Sequence, residues 1–253
     1  MGRFFISARQ AEQAKQGMIE IEGSDVRHIG QVLRLQAGDA VTLCDTAGLE
    51  YVCEIQRITA DRVYAAVKDT LRCETEPEIA VRLYQGIPKG EKMDWLIQKC
   101  VELGVTEIIP VLTERTVVKL RGPEDCERKQ VRWQRIAAEA AKQCGRGRIP
   151  EILFPMPFRA AIRQAPEGLR LMPYENETER TLKQVLRHPD SLQAMKLQKS
   201  ISVFIGPEGG IAGAEAESAF SAGFIPVSLG KRILRTETAG LAVLAAIRYE
   251  FGD

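Results

Sequence analysis

The sequence predicts an α/β protein: a parallel-sheet domain preceded by a small N-terminal β-barrel. Three observations carry this expectation. The stretch Ser200–Ile247 holds two strand-glycine-helix corners in succession, ISVFIGPEGGIAGAEAE and VSLGKRILRTETAGLAVLAAI. The stretch from Ile79 to Leu112 reads as strand, amphipathic helix and strand, a βαβ unit. Before Thr75 the chain shows only short alternating runs separated by turn signals, as small barrels do.

The alternating runs are Met18–Ile21, Ala40–Leu43, Tyr51–Ile55 and Arg62–Val67, with turns at Ala37-Gly38-Asp39 and Asp45-Thr46-Ala47-Gly48. One helical segment interrupts them: Ser24 as cap, then Val26, Ile29 and Leu33 at helical spacing to Arg34. His28, beside Arg27 and Arg34, is a candidate RNA contact, with a solvated or core histidine as the plain alternative. The polar, proline-marked stretch Leu71–Glu78 marks a boundary, giving domains 1–75 and 76–253.

Beyond it, Ile79–Ile87 reads as a strand. Met93, Leu96, Ile97, Cys100 and Val101 recur at i, i+3, i+4, i+7 and i+8, a helix ending at Gly104. A second strand follows, Val105–Leu112. Lys119–Arg148 holds nine Lys+Arg against four acidic residues, with Trp133, Ile136, Ala137, Ala140, Ala141 and Cys144 as the expected buried face of a helix. That leaves Arg128, Lys129, Arg132, Arg135, Lys142, Arg146 and Arg148 at or near the surface, for phosphate or as a solvated face. Leu169–Tyr174 predicts a strand, Thr178–Arg187 a helix, Phe224–Leu229 a strand. The last helix is apolar nearly all round, predicting cover on every side, at a central position or a subunit interface.

Composition limits the function. With 253 residues, 45% apolar content and a net charge of +1, the chain can bury a core and is not a polycation. Before Pro77 it carries 9 Lys+Arg against 12 Asp+Glu, so the basic excess sits in the larger part. Six cysteines without a C-x-x-C pair and only two histidines suggest neither a zinc site nor a disulfide framework. No signal peptide is evident and no apolar run would span a bilayer, so a cytoplasmic protein with no membrane association and no metal is expected.

Gly206-Pro207-Glu208-Gly209-Gly210 lacks the Gly-Lys-Ser/Thr ending of a P-loop and does not fit G-x-G-x-x-G. Three glycines in five residues still allow close backbone approach to a ligand, and Gly230 repeats the device. The corner could also be only a tight turn.

FIGPEGG at Phe204–Gly210 followed by LGKRILRTETA at Leu229–Ala239 resembles the signature of the small-subunit rRNA uridine-N3 methyltransferases (RsmE family), within the knotted SPOUT superfamily. RFF at Arg3–Phe5, HIGQVLRL at His28–Leu35, KGEKMDWLIQKCVELGV at Lys89–Val105, LTERTVV at Leu112–Val118 and EAAKQCGR at Glu139–Arg146 extend the likeness in the same order. Glu91-Lys92 and Cys144 depart from the commoner residues.

The resemblance implies a PUA-like barrel that helps hold RNA and a SPOUT-type α/β domain with a deep trefoil knot. It also implies S-adenosylmethionine as cofactor, a homodimer through the knot domain, and methylation of N3 of a uridine in the decoding region of 16S rRNA. The expected cofactor residues are Met172, Ile205, Gly206, Pro207, Gly209, Gly210, Leu229, Gly230, Ile233, Leu234, Thr238 and Ala239. Apolar side chains among them would sandwich adenine, and Thr238 would donate from its N–H or hydroxyl.

The expected RNA contacts are Arg3, His28, Arg34, Arg115, Arg132, Arg146 and Arg148. For the chemistry, Arg235 is expected to stabilise the developing uridine anion, with Glu237 or Glu208 as candidate base. Arg235 gripping a phosphate and Glu237 complementing a helix N-terminus are the alternatives. Two rival functions stay open: a SPOUT enzyme with another RNA target, and a non-catalytic RNA-binding ribosome assembly factor.

Overall fold

The structure is a computed structural model describing residues 2–252. It divides into two compact units: residues up to Glu76 with Ala141–Ile149, and Pro77–Ala140 with Pro150 onward.

The first unit contains β1 (Gly2–Phe5), α1 (Ala8–Ala14), β2 (Met18–Glu22), α2 (Ser24–Arg27), β3 (Ala40–Cys44), β4 (Leu49–Ile58) and β5 (Arg62–Arg72). Its strands form one sheet in the order β1-β3-β4-β5-β2. Alternation puts Ile19 and Ile21, Cys53 and Ile55, and Val63 and Ala65 inside with Phe4 and Leu43. The helical segment expected after Ser24 is present, but from His28 to Val32 it widens into a π-helix. Neither β1 nor α1 was expected. α1 has few apolar residues and is started by a capping box, Ser7 accepting from the Gln10 N–H.

The second unit contains β6 (Ala80–Gly86), α3 (Lys92–Glu102), β7 (Glu107–Leu112), α4 (Pro123–Cys144, whose last turn belongs to the first unit), β8 (Glu151–Ile152), β9 (Met156–Pro157), α5 (Phe158–Gln164), β10 (Leu169–Pro173), α6 (Leu182–Leu186), α7 (Pro189–Gln198), β11 (Ser200–Ile205), α8 (Gly213–Ser221), β12 (Ile225–Val227) and α9 (Thr236–Phe251). The sheet order is β12-β10-β11-β6-β7-β8, with β9 also on β7. All its pairings are parallel.

β11 lies between β10 and β6 and is buried along its whole length, which fits its continuous apolar run. On one face Tyr84, Phe158, Phe204 and Phe224 form an aromatic core with edge-to-face contacts. On the other face α9 packs over β6 and β11 and against α3.

Several expectations are corrected. The helix expected over Thr178–Arg187 is confined to α6, because Thr181 caps it with a second capping box and Glu177 Oε1 holds the Glu179 and Arg180 N–H groups in a turn. The strand expected over Phe224–Leu229 shortens to β12, an edge strand tolerating Pro226. On α4, Trp133, Ala137, Ala140 and Ala141 are buried, but Ile136 is half-buried and Cys144 exposed. α9 is not covered on every side within this chain: Ala239, Gly240, Val243, Leu244 and Ile247 face inward, while Ala245 is exposed and Tyr249 is 87% exposed.

Candidate functional site

The carboxyl ends of β10, β11 and β12 open into a cleft of about 670 Å³, where open parallel sheets bind ligands and a size suited to a small organic molecule. Both glycine corners reach it: Ile205, Gly206, Pro207, Glu208, Gly210 and Ile211 form one wall, and Leu229 through Thr236 with Ala239 another. Pro173, Tyr174 and Glu175 close it from the end of β10.

The glycines are required by space and by backbone conformation. A Cβ on Gly210, at φ +71, would stand 3.0 Å from Glu175 Oε1, inside the cleft lining. A Cβ on Gly206 would stand 3.0 Å from the Ile211 side chain. Such a cradle admits a ligand against bare backbone.

Of the expected cofactor residues, Ile205, Gly206, Pro207, Gly210, Leu229, Gly230, Ile233, Leu234 and Ala239 line the cleft. Three do not. Met172 is fully buried in the aromatic core, and its neighbours Pro173 and Tyr174 take the lining position. Gly209 packs against Arg115, whose Nη1 donates to the Gly209 carbonyl at 2.9 Å. Thr238 is exposed, and its N–H is used by the Arg235 carbonyl at 2.8 Å. Sequence reading missed Thr236, Tyr174, Glu175, Val227 and Ser228; the strand read over Phe224–Leu229 just before the Gly230 break was the available signal for the last two.

Arg235 is the N-cap residue of α9, exposed and in the cleft, with Lys231 and Arg232 beside it. Glu237 is not in the lining; its Oε2 lies 3.3 Å from Lys92 Nζ, in ion-pair reach but outside hydrogen-bond geometry. Lys92 Nζ also bonds Glu208 Oε1 at 3.1 Å. Partial burial raises the Glu208 pKa, but the backbone N–H groups of Glu208 and Lys89 and the Lys92 ammonium outweigh it, and the carboxyl is held below its ordinary value. A carboxylate held in this way is a weaker base than an ordinary one.

The expected RNA contacts separate into two groups. Arg34, Arg115, Arg132 and Arg148 are exposed, Arg132 paired with Asp94. His28 is half-buried, edge-on to Phe4 with ring centroids 5.6 Å apart. Arg146 is a correction: it is 5% exposed, and its Nη2 donates to Glu76 Oε2 at 2.6 Å. Arg3 is likewise engaged, bidentate on Glu50 at 2.6 and 3.2 Å. Both guanidiniums serve to satisfy inward carboxylates, so neither is presented as a free phosphate ligand.

A parallel sheet gathering two glycine corners and a row of cations at one edge defines an α/β protein with a cation-edged ligand cleft at its strand ends. Comparison with known proteins agrees. A family model described as an RNA methyltransferase domain matches residues 75–248, and one described as an RNA methyltransferase PUA domain matches residues 21–68. Ribosomal RNA small subunit methyltransferase E of Bacillus subtilis (strain 168) is 33% identical, covering 99% of this chain and 97% of that protein. The solved structure of the Neisseria gonorrhoeae ribosomal RNA small subunit methyltransferase E bound to S-adenosylmethionine superposes with a TM-score of 0.83, at 34% identity over 98% of this chain and 97% of that one. A Legionella pneumophila methyltransferase in complex with S-adenosylmethionine gives 0.80, at 32% identity over 92% and 91%. The chain belongs to the ribosomal RNA small subunit methyltransferase E family.

No helix among the described residues is long and apolar enough to cross a membrane.

Proposed function

We propose that this protein is an S-adenosylmethionine-dependent methyltransferase that methylates N3 of a uridine in the decoding region of 16S rRNA. The observation that carries the reading is the meeting of two glycine corners in one cleft with Arg235 at its edge. The cradle fits the donor: bare backbone at Gly206 and Gly210 for close polar approach, and Ile205, Leu229, Leu234 and Ala239 for an adenine face. When bound, S-adenosylmethionine supplies an electrophilic methyl group.

The chain's own residues orient and neutralise. The nucleophile is the uridine N3, whose proton passes to solvent at the open cleft, and the Arg235 guanidinium at the cleft edge stabilises the negative charge that then spreads over the imide. Glu237, held by Lys92, orders the first turn of α9 behind it. Arg115, tied to the Gly209 carbonyl, brings a further cation to the glycine corner for RNA. His28, Arg34 and Arg148 are the RNA contacts we assign to the PUA-like domain, taken as residues 1–75, and its packed partner segment.

The passage of residues 228–236 from the edge strand β12 to the ends of β11 and β6 is, in this reading, the threading of the trefoil knot. The bare side of α9, with Ala245 and Tyr249, is the surface for a homodimer, and the protein works in the cytoplasm on the small ribosomal subunit.

Mapping N3-methyluridine in 16S rRNA from cells with and without the gene tests the reading. The modification is expected to vanish at one position and return with the wild-type gene. Its persistence in the deletion strain would reject the assignment.

A further inference from the structure

Gln85 sits at the end of β6, one residue before Gly86, and is 0% exposed. Its Nε2 donates to the Gly86 carbonyl at 2.9 Å and to Thr236 Oγ1 at 2.8 Å. Its Oε1 has no hydrogen-bond partner among the described residues. The amide orientation follows from chemistry: the Gly86 carbonyl can only accept, so the atom facing it must be the NH₂.

That choice has a consequence one bond further on. Since Gln85 donates to the Thr236 hydroxyl, the hydroxyl proton points to its other neighbour, the Gly206 carbonyl, at 2.6 Å. Gly206 lines the cleft, and the following Pro207 has no N–H, so this carbonyl is the only hydrogen-bonding group of the peptide that opens the glycine corner. Its direction fixes the plane of that peptide. Close packing supports the joint, because a Cβ on Gly86 would stand 2.6 Å from Pro207.

We propose that Gln85, which lies outside the cleft lining, is a positioning residue for the methyl-donor cleft: it sets the direction of the Thr236 hydroxyl and through it the Gly206 peptide. A buried amide with half its hydrogen-bonding capacity unmet is a costly way to fill a sheet. An apolar side chain of similar size would fill it without that cost, so the donating half is what the position requires. The part of this inference that concerns the donor rests on the methyltransferase reading above; the part that concerns the corner does not.

The experiment uses the full chain and the variants Gln85→Leu, Gln85→Glu, Thr236→Val and Thr236→Ser. In donor-free protein, amide hydrogen exchange at Glu208–Ile211 is expected to quicken about tenfold in Gln85→Leu and Thr236→Val, the worth of one hydrogen bond. Exchange in the distant first-unit strands is expected to stay as in wild type. Thr236→Ser is expected to restore wild-type exchange. Gln85→Glu, whose carboxylate would accept from Thr236 and turn the hydroxyl away from Gly206, is expected to behave like the valine variant.

Calorimetry with S-adenosylmethionine is expected to follow the same order, with about tenfold weaker binding in the three disrupted variants and an unchanged KM for RNA. Unaltered corner exchange in folded variants overturns the role of Gln85, as does uniform loosening of the whole protein. A wild type that gives no heat with the donor overturns the methyltransferase reading instead, and exchange still decides the corner. Should Gln85→Leu fail to fold, Thr236→Val carries the same test.

Discussion

Lys92 Nζ lies 3.1 Å from Glu208 Oε1, joining the first turn of α3 to the glycine corner that follows β11. The Glu208 carboxyl is held below the ordinary 4.5 in the folded protein. A depressed folded-state pKa gives stability that is fully present above the unfolded value and is lost as pH falls through the folded one. Glu208→Gln is therefore expected to lower the urea midpoint at pH 7 by an amount corresponding to at most about 1 kcal/mol, as partly exposed pairs do. The gap from wild type should close as pH drops below 4.5. A gap that persists unchanged at pH 3 would assign the effect to packing.

Arg235→Ala should separate binding from chemistry. Removing one charge-stabilising donor typically costs about 10²-fold or more in rate. We expect that loss in single-turnover methylation at saturating donor and RNA, with donor affinity within about threefold of wild type, less than 1 kcal/mol. A single-turnover rate equal to wild type removes Arg235 from the chemistry.

Gly210→Ala and Gly213→Ala form a matched pair. At Gly210 the backbone is left-handed and the new methyl would meet Glu175, whereas Gly213 has open space around its Cβ position. A left-handed alanine costs roughly 1–2 kcal/mol before any clash. Calorimetry with S-adenosylmethionine is expected to show binding at least about tenfold weaker for Gly210→Ala and unchanged for Gly213→Ala.

Glu76 accepts from Arg146 Nη2 at 2.6 Å and from the Gly147 and Arg148 N–H groups at 3.0 and 3.1 Å. Deleting the carboxylate removes these bonds from a buried guanidinium and from two amides. Glu76→Ala should destabilise the first unit by about 2 kcal/mol, the worth of lost hydrogen bonds to a charged group, seen as an early transition in denaturant unfolding of the full chain. Unfolding that coincides with wild type would contradict the assigned role of this cap.

Much of this architecture is legible in the residue pattern. Periodicity locates β6, α3, β7 and β11 closely because each buries a regular apolar set, such as Met93, Leu96, Ile97, Cys100 and Val101 on α3. α7 is missed because it buries only Ser191 and Met195 and is held by its cap, His188, rather than by an apolar stripe. The glycine positions of the cleft are readable because bends at Gly206, Gly210 and Gly230 have no cheap substitute.

Side-chain direction is the illegible part. Met172 and Pro173 are neighbours in β10, yet one fills the core and the other lines the cleft. Arg146 and Arg148 read alike, but the Arg146 guanidinium turns inward to a carboxylate supplied from Glu76 while Arg148 stays exposed. Such choices depend on partners remote in sequence, which a local pattern does not encode.

The bond from Gln85 to Thr236 closes a circuit of 151 residues. Loop closure of that length has a high entropic cost and is slow, so a nascent chain emptied onto the ribosome's surface up to β12 would own a finished first unit and no binding cavity. Competence arrives only once the cleft residues after β12, Leu229 through Ala239, have been made, and a nonsense codon before α9 is expected to leave no active product.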